Sequence, residues 1–112
     1  MIDETAFNEI VALYEKHGWV LRRVLHSEDP GTRLSEEISA RFADVPVKRS
    51  KIDAAWFSRP PAAGGVAWEL RHLGPLPYAL VENVDENSPD LEVLLAEVEA
   101  RLLATIAARR TA

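Results

Sequence analysis

The chain has 112 residues, of which 47% are hydrophobic and 28% charged, with a formal net charge of −5 and no cysteine. That is length for one domain spanning residues 1–112 and ordinary globular composition, and its acidic balance disfavours nucleic acid and anionic membranes as whole-molecule partners. The missing thiol excludes disulfides, thiolate catalysis, iron–sulfur clusters and cysteine-based zinc sites.

In chain order, Phe7, Ile10, Val11, Leu13 and Tyr14 recur at helical spacing, and acids crowd the positive end of that helix dipole. The spacing predicts a helix over about residues 4–17, capped by Asp3 or Thr5, with Lys16 and His17 in its last turn and Gly18 as its stop. "WVLRRVLH" (Trp19–His26) is short, apolar and β-branched and reads as a strand. Neither of its faces is cleanly polar, so cover on both sides is expected. After the breaker "SEDPG", Leu34, Ile38 and Phe42 step by four along a second helix that starts at Thr32 and ends at Pro46. "VKRSK" reads as a basic linker.

Ile52–Ser58 and Val66–Leu73 are predicted strands joined by a "PPAAGG" tip. One register sets Trp56 opposite Trp68 and Ala54 opposite Leu70, while a one-residue slip sets Phe57 beside Trp68. Tyr78–Val84 is a further strand with its prolines at the entry. "NSPDLE" then signals a helix start, with Ser88 as N-cap, Pro89 in the first position and acids in the first turn. Leu91, Leu95, Val98, Leu102 and Ile106 form its stripe, with Leu94 and Leu103 widening it, out to about Arg109. The expected architecture is α+β in the order α-β-α-β-β-β-α, an antiparallel meander with the helices packed mainly on one face.

The acidic start "MIDETAFNEI" has none of the regions of a secretory signal, and no apolar run nears the ~20 residues of a membrane span, so a cytoplasmic protein is expected. Abundant Ala, Arg, Val and Leu suggest a GC-rich bacterial source.

Candidate chemistry is sparse. His17 suits its helix C-terminus. His26 and His72 end two strands, where a close pair would suit acid–base work, but no metal-ligand spacing occurs and no cofactor or metal is implied. "PPAAGG" lacks the following Lys-Ser/Thr and helix that a phosphate cradle needs. The pairs Glu36–Glu37, Asp85–Glu86 and Glu97–Glu99 read as solvated.

From Lys16 to Arg71 lie ten bases against seven acids, between acidic ends. That mildly positive middle holds the candidate partner-binding residues Trp56, Arg59, Trp68 and Arg71, a combination that suits a protein-contact hot spot. The last helix, near 30 Å at 1.5 Å per residue, outlasts a strand of about 23 Å. Its Leu95, Leu102, Leu103 and Ile106 are therefore the candidate self-association residues of a homodimer. The expected function is a non-catalytic protein-interaction module, adaptor or chaperone-like, that self-associates. The alternatives are nucleic-acid binding through the Arg/Trp hairpin, with stacking on exposed tryptophans, and a small-molecule enzyme using His26 and His72.

Overall fold

A computed structural model of the chain describes residues 4–27, 44–59, 66–73 and 78–111. The helix expected from Thr32 to Pro46 falls almost wholly outside the described residues, as does the hairpin tip. The described elements are α1 (Glu4–Lys16), β1 (Val20–His26), β2 (Val47–Arg49), β3 (Ala54–Ser58), β4 (Val66–His72), β5 (Ala79–Val84) and α2 (Leu91–Thr111). The α+β class holds. No described helix is long and apolar enough to cross a membrane.

The strands form one sheet of five in the order β2-β1-β3-β4-β5. It is mixed rather than purely antiparallel, because "VKR", expected as linker, pairs parallel with β1, Val24 opposite Val47 and His26 opposite Arg49. The Val24 N–H donates to the Pro46 carbonyl (3.0 Å) and the Ser50 N–H to the His26 carbonyl (2.9 Å), which close the two ends of this short ladder. Neighbouring parallel strands need a long crossover between them, and the chain between Ser27 and Asp44 is long enough to supply one.

The two described helices lie on opposite faces, not mainly on one. Alternation along the strands sorts the side chains. Leu21, Val24, Ala55 and Phe57 pack with Phe7 and Val11 of α1. Leu25, Ala54, Trp56, Val66, Trp68 and Leu70 pack with Leu95, Val98, Leu102 and Ile106 of α2. The cause lies in "AAWFS", which is buried at all five positions of β3. A central strand apolar on both faces needs cover from both sides.

Two registers position the site. β3 and β4 pair with Trp56 opposite Leu70 and Ser58 opposite Trp68, two residues from the Trp56–Trp68 alignment. An even shift keeps every side chain on its face, so the indoles become diagonal neighbours, edge to face at 5.9 Å between centroids. Between β1 and β3 the register shifts from Leu21–Phe57 to Arg23–Trp56, a bulge that leaves Arg22 as the extra residue. The bulge sends two consecutive arginines toward one ring, with the Arg22 guanidinium 4.6 Å and that of Arg23 5.9 Å from the centre of Trp68.

Both helix ends follow their local sequence. At the end of α1 the Trp19 N–H donates to the Tyr14 carbonyl (3.0 Å) and the Gly18 N–H to that of Glu15 (3.1 Å). Gly18 sits at φ 86°, where a Cβ would be strained. The start of α2 is held by Ser88, whose Oγ accepts from the Asp90 N–H at 3.1 Å.

Candidate functional site

The structure separates the four candidate partner-binding residues. Trp56 is 0% and Trp68 2% exposed, both within the core under α2. Their N–H groups are satisfied internally, Trp56 Nε1 donating to Glu99 Oε2 (2.9 Å) and Trp68 Nε1 to Glu86 Oε2 (3.2 Å). With both rings buried, neither is a platform on which a base could stack. Arg59 and Arg71 belong to the α1 face, and Arg71 turns back to donate to the His72 carbonyl at 2.8 Å.

The candidate self-association residues go mostly into the subunit's own core. Leu95, Leu102 and Ile106 are at most 2% exposed, and Leu103 packs partly against the same cluster. Their stripe finds its cover on β3, β4 and β5, and the overhang expected from helix length leaves none of these three side chains exposed.

His26 and His72 are both buried. In β1 the alternation gives Val24 to the α1 core and Leu25 to the α2 core, so His26 falls on the α1 face. His72 follows Trp68 and Leu70 onto the α2 face. The sheet therefore stands between the two imidazoles. Among the described residues, no three His, Cys, Asp or Glu side chains gather as a metal site.

Glu86, read as solvated, is a structural partner instead, as are Glu92 and Asp53. Glu86 accepts from Arg22 Nη1 (2.9 Å) as well as from Trp68. Glu92, in the first turn of α2, takes a two-pronged bond from Arg23 (2.7 and 2.6 Å), which holds its carboxyl below the usual range. At the base of the sheet, burial would raise the Asp53 carboxyl. The Ser27 N–H (2.8 Å) and hydroxyl (2.9 Å), with the charge of His26, outweigh that and lower it.

Two surface features remain. The first is an open groove of about 310 Å³ lined by Leu13, Tyr14, His17, Trp19, Arg59 and Glu69. It is a product of the α1 stop. Gly18 reverses the chain so that Trp19 folds against Tyr14, ring centroids 6.1 Å apart and edge to face. Tyr14 also stacks flat on Phe57 at 4.0 Å. Its hydroxyl donates to Glu69, and burial first, then that carboxylate, pushes its pKa well above the ordinary tyrosine value. The Arg59 guanidinium lies 4.8 Å over the Trp19 ring and donates to the His17 carbonyl (3.3 Å). Sequence reading found Arg59 but not Trp19 or Tyr14 as its companions. The glycine stop between Tyr14 and Trp19 was the signal that could have joined them.

The second is the outer edge of β5. Among the described residues β5 has one strand neighbour, β4, with Leu70 opposite Leu80 and Glu69 opposite Val81. The His72 N–H donates to the Tyr78 carbonyl (2.8 Å), so that pair is hydrogen-bonded. Alternation then bonds Leu80, Glu82 and Val84 to β4 and turns the N–H and C=O of Ala79, Val81 and Asn83 to the free edge. The side chains of these three residues are exposed, Val81 by 55%. The opposite edge, β2, is only three residues long and carries exposed Lys48 and Arg49, features that discourage further pairing.

Comparison with protein-family models, curated proteins and solved structures finds no match to this chain.

Proposed function

We propose that the protein is a non-catalytic interaction module that self-associates by joining the β5 edges of two copies. The observation that carries this reading is the uncharged row of backbone groups at Ala79, Val81 and Asn83, which have no strand partner among the described residues. Open edges of this kind are templates for another strand.

The sequence of β5 favours its own copy. Antiparallel pairing about a two-fold axis must join outward-facing residues to each other. Centring the axis on Val81 sets Ala79 against Asn83 of the second copy and uses every free group of the three residues. It also sets Leu80 against Glu82. A shift that centres on Glu82 would oppose two carboxylates, which is destabilising. The axis stands normal to the sheet, so both grooves open on the same side of a continuous sheet. Glu69 pairs with Val81 in each copy, and three strand spacings separate the two Glu69 residues by about 14 Å.

Sedimentation velocity over a range of protein concentrations tests the reading. The wild-type chain should shift from monomer to dimer. Val81→Pro removes an outward N–H and leaves the bonds to β4 in place, so it should stay monomeric. Val81→Lys, which brings two charges together at the axis, should do the same. Val93→Lys, on the exposed side of α2, should dimerise like wild type. A wild-type chain that is monomeric throughout, or variants at Val81 that still dimerise, would remove this mode of association.

A further inference from the structure

We infer that the groove between the end of α1 and strands β3 and β4 binds a small aromatic carboxylate. The site is complete within one subunit and does not depend on pairing through β5. At about 310 Å³ it lies at the small end of ligand sites, roughly 300–1,000 Å³. That is room for one ring and one acid group.

The chemistry of the lining sets the ligand. Leu13 is 55% exposed at the rim, and Tyr14 and Trp19 give ring faces and edges for a planar apolar body. The cation of the groove is already oriented. Arg59 lies over the Trp19 ring and donates one N–H to the His17 carbonyl. Among the described residues that carbonyl is its one hydrogen-bond acceptor, and a guanidinium has five N–H donors. A planar fork held in place matches a carboxylate two bonds at a time and loses little freedom in doing so.

The other wall fixes the direction of binding. Glu69, the acidic residue of the lining, accepts a hydrogen bond from the Tyr14 hydroxyl and would repel an acid group placed beside it. The carboxylate therefore goes to Arg59 and the ring to Leu13 and Tyr14. A cationic ligand is disfavoured because Arg59 already occupies the face of Trp19.

The three tryptophans make the test selective, since Trp56 and Trp68 are buried under α2 with their indole N–H groups bonded to glutamates. Titration with 3-phenylpropionate, followed by nuclear magnetic resonance at the indole N–H signals, should move Trp19 saturably and leave Trp56 and Trp68 unchanged. The amide of the same acid should bind at least about tenfold more weakly, because the loss of one charge-assisted bond is worth about that factor. Arg59→Gln should lose binding by a similar factor with Trp56 and Trp68 unmoved, which also reports that it folds, and Val81→Pro should bind like wild type. Equal affinity for the amide, or equal displacement of all three indole signals, would overturn the inference. A tripeptide ending in phenylalanine that bound ten times more tightly than the free acid would overturn the small-acid assignment in favour of chain termini.

Discussion

Trp56 has no exposed surface yet carries an N–H that must be satisfied, and Glu99 of α2 satisfies it across 2.9 Å. The two residues bind β3 to α2 from 43 positions apart in the chain. Removing the acceptor with Glu99→Ala should cost about 1–3 kcal/mol, the usual penalty of a buried donor left without its partner. Removing the indole with Trp56→Ala should cost about 3–5 kcal/mol. Urea unfolding followed by circular dichroism measures both. Asp53 adds a dependence on pH. Its folded pKa is depressed, so its contribution is present above the ordinary aspartate value of about 4 and is lost as pH falls through the depressed one. Asp53→Asn should therefore flatten the acid limb of the stability curve, which unfolding at a series of pH values would show. Trp56 and Trp68 were expected as partner contacts and are core instead; only their place on the two hairpin strands was legible. Glu86, Glu92 and Glu99 were not, because a carboxylate on a helix or turn looks solvated until the fold brings a donor to it.

The elements divide by how local their causes are. Both ends of the connection α1–β1 and the start of α2 are written in a few consecutive residues, and each behaves as its local chemistry requires. Ser88→Ala should destabilise by about 1 kcal/mol through loss of the cap. Gly18→Ala should cost about 1–2 kcal/mol, since it forces a Cβ into the left-handed region at φ 86°. In that variant Trp19 should also be looser against Tyr14, seen as a broader Trp19 indole signal. β2 and the bulge in β1 had no such signature. "VKR" becomes a strand only because β1 offers it an edge, and strict alternation along "WVLRRVLH" would put Arg22 and Arg23 on opposite faces, whereas one extra residue against Trp56 turns both to Trp68. Long-range pairing decided these elements, and it is not encoded in neighbouring residues.

At the scale of the molecule, covering the sheet from both sides changes what is left for a partner. The long α2 helix had suggested a surplus apolar stripe, but an antiparallel layer of β3, β4 and β5 is wide enough to absorb Leu95, Leu102 and Ile106. Among the described residues, what stays open is backbone rather than an apolar stripe of α2. It is the β5 edge, beside a groove whose aromatic wall is built by the turn after α1. The sequence showed β5 as a strand but not as a border, since strand order arises from the crossover between β1 and β2. Val81 joins the two surfaces, at the proposed axis on one side and opposite Glu69 on the other. The amide hydrogen exchange of β5 at low and high protein concentration is the most direct measurement of this account. Leu80, Glu82 and Val84 should be protected at both, and Ala79, Val81 and Asn83 should pass from fast to slow exchange as concentration rises. Fast exchange of those three amides at every concentration would contradict the proposed pairing.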